Sequence, residues 1–221
     1  MLKWQYGDDL VLNEDGTQFS YPSVDETKRL ITKVSYQEYY SSDYKDNILV
    51  LKVAKGESDS LSKLEDDELI SARAYLSKIK FAGVKCNVVS RKGDVLVPRV
   101  DVYYDGAVSK EEIYSNIETA LVQYIQNVNF DSAIYAHKVI DAIMGVDHVT
   151  DVHINSGATV EQGVFIAQYD DNNSLGALQK IDRKIYTSSG YIKQSTKKGE
   201  EKDIPTFREA INLKLESDEK S

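Results

Sequence analysis

Residues 109–154, SKEEIYSNIETALVQYIQNVNFDSAIYAHKVIDAIMGVDHVTDVHI, read as a helix, a short loop, a second helix, a Gly-Val turn and a strand. Ser109 and Glu112 have the spacing of a capping box, in which hydroxyl and carboxylate satisfy amides that a first helical turn leaves free. Ile113, Ile117, Ala120, Leu121, Tyr124 and Val128 then recur three or four residues apart and share one face. Glu111, Glu118, Gln123 and Asn127 fall on the remaining surface. Tyr135, Val139, Ala142 and Ile143 form a second apolar face, and Gly145 stands where a helix ends through a left-handed residue. The β-branched run 148–154 favours an extended chain. The large side chains of the first face represent on the order of 10 kcal/mol of gross burial, so the pair of helices must dock on a sheet.

Working upstream, NILVLKVA (47–54) is a continuous apolar run suited to a buried strand. Residues 60–81 predict a long helix with Leu61, Leu64, Leu69, Ala72, Leu76 and Ile79 as its inner stripe and Gly83 beyond its end. Residues 84–90 and 95–104 predict two strands around the turn at 91–94, with Pro98 demoting the first part of the second to an edge or a bulge. The resulting order of strand, helix, strand, strand, helix, helix, strand matches the ferredoxin-like split βαβ arrangement with one additional helix. The expected fold class is therefore α+β. It comprises an N-terminal hairpin and helical arm (1–46), a ferredoxin-like central domain (47–155) and a C-terminal β-rich extension (156–221).

In the arm, residues 9–21 predict a hairpin turning at Asp15-Gly16. Residues 24–34 look helical, and Ser35 with Glu38 would cap a short helix carrying Tyr36, Tyr39 and Tyr40, with Tyr44 just beyond. These tyrosines offer large contact area with a polar tip, which fits either a subunit interface or a local aromatic mini-core. In the extension, 163–169, 184–193 and 207–216 are strand candidates. Ile211, Leu213 and Leu215 alternate with Asn212, Lys214 and Glu216, as on a half-buried strand. Three isolated strands bury little, so this tail is expected to pack on a neighbouring subunit or on the N-terminal hairpin. Tyr36, Tyr39, Tyr40, Tyr44, Ile211, Leu213 and Leu215 are the candidate subunit interface.

Composition excludes several classes. An apolar share of 41% in 221 residues supports a real core, and the longest apolar runs are too short to span a bilayer. The start MLKWQYGDDL meets acidic residues before any apolar segment, so no signal peptide is read there. The single Cys86 forms no internal disulfide, fits a reducing compartment and reads as a small buried side chain. A net charge of −9 repels polyanions and argues against nucleic acid as the main partner. Phosphate loops, dinucleotide fingerprints, nucleophile elbows and zincin motifs are all missing. Asp147, His148, Thr150, Asp151 and His153 are of metal-binding type, but His148 and His153 point to opposite faces of a regular strand. The Asp170-Asp171-Asn172-Asn173 run lacks the closing Glu of a calcium loop. No catalytic residue, cofactor, metal or small-molecule substrate is assigned, and the chain is not read as an enzyme.

The stretch IETALVQYIQNVNFDSAIYAHKVIDAIMGVDHVTDVHI resembles the signature region of the baseplate J-like family, wedge components of contractile phage tails and related injection machines. In that family a helix leads through a short loop to a second helix, and a "GV…V" turn and strand follow, as in Gly145-Val146 and Val149-Val152. The segment 76–101 and the lead-in TKVSYQEYY (32–40) are similar to the family pattern as well, whereas residues 156–221 match no part of it. The resemblance implies a structural virion protein that assembles with copies of itself and with other tail or baseplate proteins, in the host cytoplasm and then in the tail. The alternative of another class is a ferredoxin-like ligand-binding or regulatory module of a cell.

Overall fold

Strand pairing and packing divide the chain after Lys92. The computed structural model describes residues 3–42, 45–57 and 60–216, and its two units are Met1–Lys92 and Gly93–Ser221. Helix and sheet are mixed in both, so the class is α+β.

Unit 1 opens with a two-residue hairpin, β1 (Val11–Leu12) and β2 (Phe19–Ser20), whose turn uses Gly16 at φ +68. A single 3-10 turn (Glu26–Lys28) follows, then β3 (Ile31–Ser41), β4 (Asp46–Lys55), α1 (Asp66–Ile79) and β5 (Lys85–Val89). The sheet order is β3-β4-β5, with β3 antiparallel and β5 parallel to β4, so α1 is the crossover of a βαβ unit. Leu51, Val53, Leu64, Ala72 and Val88 pack beneath it with Trp4 and Ile31. A register shift between Ile31 and Lys33 lets Ile31 enter that core although the later residues of β3 follow a different phase.

Three expectations for this unit are corrected. Residues 24–34 are not a helix, and Ser35 with Glu38 caps none, because 31–41 form one long strand paired along β4. The β-branched and aromatic residues there fit a pleated surface, and tertiary pairing overrides a local capping signal. The expected helix 60–81 is confined to Asp66–Ile79, where the Glu65 N–H donates to Glu68 Oε2 at 2.7 Å. The start of the chain packs within its own unit. Trp4 and Gln5 are buried, Trp4 Nε1 donates to Ser71 Oγ at 3.3 Å, and Gln5 bridges Asp8, Ser23 and Asp25.

Unit 2 is built around β6 (Asp94–Tyr104). It continues through α2 (Lys110–Asn127), β7 (Ala133–Tyr135), α3 (Ala136–Met144), β8 (Val149–His153), β9 (Gly163–Ala167), β10 (Gln179–Lys180), β11 (Lys184–Tyr186), β12 (Ile192–Lys193), the helical turn α4 (Phe207–Ala210) and β13 (Ile211–Leu215). The first half of β6 pairs antiparallel with β9 and parallel with β12; the second half pairs antiparallel with β8 and parallel with β13. Between Val95 and Val100 β9 is the only described strand that accompanies it, and Pro98 falls in that interval, where a missing N–H costs least. Ile113, Ile117 and Leu121 of α2 and Val139 and Ile143 of α3 cover one face with Leu96, Val100, Val102, Phe207, Ile211 and Leu213. Val95, Val97, Phe165, Ala167 and Tyr169 pack on the other.

The ferredoxin-like sheet over 47–155 is therefore corrected. Its four strands fall in two sheets: β4 and β5 pair parallel in unit 1, while β6 and β8 pair antiparallel in unit 2. A strand has two edges, and both edges of β6 are occupied by the segments following residue 148. Residues 156–221 are accordingly no extension. The expected strand 184–193 is two short strands, and 207–216 begins as a helical turn capped by Thr206. α3 ends with Gly145 at φ −77, and the left-handed residue comes three positions later at His148, φ +69.

Candidate functional site

The exposed tyrosines follow from the width of the sheet in unit 1. Tyr36 lies opposite Leu51 and Val34 opposite Val53, so both share the face on which α1 rests. A single helix crossing from β4 to β5 leaves the outer strand β3 uncovered. Tyr36 is 77% and Tyr40 65% exposed, and Val34 and Glu38 are open too. The Tyr39 side chain and all of Tyr44 lie outside the described residues, so two of the four predicted tyrosines are located.

β4 begins, α1 ends and β5 begins at the same end of the sheet, since Ile48 pairs with Lys85 and Tyr40 with Asn47. At that end Phe81 is 85% exposed, and Ile79 and Val84 are open beside it in the sequence. The turn has a defined shape: the Val84 N–H donates to the Phe81 carbonyl at 3.2 Å, and Gly83 takes φ +85. Sequence reading placed Ile79 on the inner stripe of a longer helix and missed this tip. The signal present was Phe81 two residues before Gly83, beyond the last position that α1 can bury.

The C-terminal candidates are corrected. Ile211 and Leu213 are buried in the core of unit 2, and Leu215 is half-buried, close enough to Gly106 that a Cβ there would lie 2.8 Å from Leu215 Cδ1. Parallel pairing along Val100–Tyr104 satisfies the strand within its own unit, so Ile211 and Leu213 are not available to a partner.

Sequence reading also missed three buried carboxylates of unit 2. Asp94 accepts from Ser188 N (2.6 Å), Ser188 Oγ (2.7 Å), Gln168 Nε2 (3.1 Å) and Tyr169 N (3.4 Å); burial outweighs these bonds and raises its pKa. Asp101 is buried too, but Lys214, Asn212 and Gln162 donate to it at 2.7, 3.0 and 2.7 Å and hold it below the usual range. Glu201 is 3% exposed. Burial alone would raise it, yet Lys193 (2.6 Å), the Thr196 N–H (2.8 Å) and hydroxyl (2.9 Å) and Tyr169 OH (2.6 Å) bring it down to about 2. Each carboxylate ties a late segment to β6 or its neighbours, with both oxygens engaged in those bonds. This is the geometry of clamps.

A polar depression of about 460 Å³ is lined by Tyr103, Thr150, Asp151, His153, Asn155, Lys214 and Glu216. His148 lies apart from it in bonding, its Nδ1 being 3.0 Å from Asp105. That contact raises the His148 pKa, and both groups are substantially exposed. The described residues contain no group of three or more His, Cys, Asp or Glu placed to hold a metal ion. Asp170 Oδ1 accepts from the Asn172 and Ser174 amides within its own turn. No described helix is long and apolar enough to cross a membrane. Comparison with protein-family models gave no match to this chain, and a search of curated proteins gave none.

Proposed function

We propose that the chain is a structural subunit of a phage tail or baseplate, a wedge or tail-ring component that assembles with copies of itself and with other tail proteins. The reading rests on the resemblance carried by residues 117–154. Those residues form one packed succession of α2, β7, α3 and β8, with Ile117, Leu121, Val139 and Ile143 turned into a single core. The exposed tyrosines of β3 are consistent with a protein-contact role, since aromatic side chains are enriched at subunit contacts. Assembly would occur in the host cytoplasm and end in the virion.

The test is composition. Tail particles from the source virus, purified and analysed by mass spectrometry and electron microscopy, should contain this chain at a fixed stoichiometry within the tail or baseplate density. Its absence from intact particles would reject the reading.

A further inference from the structure

Charge is unevenly divided along the chain. Residues 1–92 carry 14 Lys and Arg against 15 Asp and Glu, whereas residues 93–221 carry 13 against 21. Within unit 1 the division recurs along α1. Glu65, Asp66, Asp67 and Glu68 stand at its start, whereas Lys78 and Lys80 stand at its end, about 20 Å away at 1.5 Å per residue. Lys80 Nζ bonds the Val84 carbonyl at 3.0 Å, and the described salt bridges include neither Lys78 nor Lys80. The tip is thus a hydrogen-bonded turn presenting Ile79, Phe81 and Val84 between cations. A phenylalanine held open on an ordered turn is an anchor for a contact, and aromatic anchors rimmed by charge set both affinity and orientation.

We infer that this tip is one half of a contact between copies of the chain, and that it docks on the acidic unit 2 of a neighbouring copy. Charge complementarity selects the occupant. A basic-rimmed apolar knob is met by the unit of the same chain that carries the excess of acid. Within unit 2 the receiving surface is the last turn of α3. There Met144 is 40% exposed between the exposed Asp141 and Asp147, and the carbonyl end of the helix adds negative potential. Methionine adapts its shape to an inserted ring. The two surfaces differ, so the contact joins unlike patches of two copies, either reciprocally in a closed dimer or successively in a ring or filament. The inference deepens the assembly reading and rests on it for its biological setting.

The test uses the purified full chain in sedimentation velocity over a concentration series at low and high salt. Wild type should self-associate, more weakly at high salt as screening grows. Phe81→Asp, which alters a side chain in solvent, should weaken association about tenfold or more with unchanged circular dichroism and Trp4 emission. Lys78→Glu/Lys80→Glu should weaken it as well, and combining that pair with Asp141→Lys/Asp147→Lys should restore it. A wild-type protein monomeric throughout, Phe81→Asp associating like wild type, or no restoration by the charge exchange would each overturn the contact. The two readings fail separately. Self-association through this tip in a protein absent from tail particles rejects the tail assignment alone. Particles that retain Phe81→Asp at normal stoichiometry reject the contact alone.

Discussion

Replacing Glu201 with glutamine tests whether the late segments of unit 2 are clamped by buried charge. The side chain keeps its size, so packing is preserved while the charge disappears. Glu201 Oε1 accepts from Lys193 and Tyr169, and Oε2 from the Thr196 amide and hydroxyl. Glutamine has only one acceptor atom, so either the ammonium or the Thr196 N–H faces an amide nitrogen instead. The depression of the Glu201 pKa from an ordinary 4.5 to about 2 corresponds to about 3 kcal/mol of preference for the ionised form in the folded protein. A carboxylate whose folded pKa is depressed stabilises the protein above its unfolded pKa and loses that contribution as pH falls through the folded value. The window is therefore pH 4.5 down to about 2. In urea unfolding followed by circular dichroism, Glu201→Gln should be about 2–3 kcal/mol less stable than wild type at pH 7. The gap should close as pH approaches the lower end of that window. Asp94 and Asp101 titrate in both proteins, so the difference isolates Glu201. Equal stability at pH 7, or a gap that stays constant with acidification, would refute the clamp.

Other consequences follow from the same architecture. Ile117→Asp places a charge in a fully buried site between α2 and the sheet and should leave no soluble folded unit 2; an ordinary unfolding curve would reject that face assignment. Gly190 sits at φ +96 with the Phe130 ring 2.5 Å from where a Cβ would be, so Gly190→Ala should cost about 2–4 kcal/mol in urea unfolding, whereas a loss below about 1 kcal/mol would mean that the ring moves freely aside. Truncation before Ile211 should abolish the cooperative unfolding of unit 2, because β13 contributes Ile211 and Leu213 to its core; a truncated chain with native circular dichroism would show that the strand is dispensable.

Local signals in the sequence were read well where one element decided its own form. The 109–154 unit has its two helices and strand near the positions that capping and periodicity give, because α2 and α3 each bury a continuous face. Partnerships between strands were not legible. VLVPRVDVYY declares a strand, but nothing in it states that its two halves serve different partners, or that the partners come from residues 149–215. The misreading of residues 31–41 has the same origin. Ser35 and Glu38 sit at capping distance, and only pairing with β4, fixed by the apolar run that follows, makes the segment extended. The buried acids were invisible for a related reason: Asp94, Asp101 and Glu201 carry no local pattern, and most of their donors lie far along the chain or on other strands.

That relocation of residues 156–221 changes where contact between subunits should be sought. A tail of three strands with little burial of its own would require a neighbour for stability, and assembly would then be coupled to its folding. With β9 wholly buried and β13 paired along the second half of β6, unit 2 satisfies these strands internally. Side chains that stay open in unit 1, where a three-stranded sheet has one helix on it, include Tyr36 and Tyr40 on the uncovered strand and Phe81 on the turn beyond α1. These side chains add nothing to the core beneath α1, so their substitution should leave folding intact while altering association. The separation of the two effects is itself the argument for a surface that serves assembly: residues that hold the fold and residues that would hold a neighbour are different residues, on different elements.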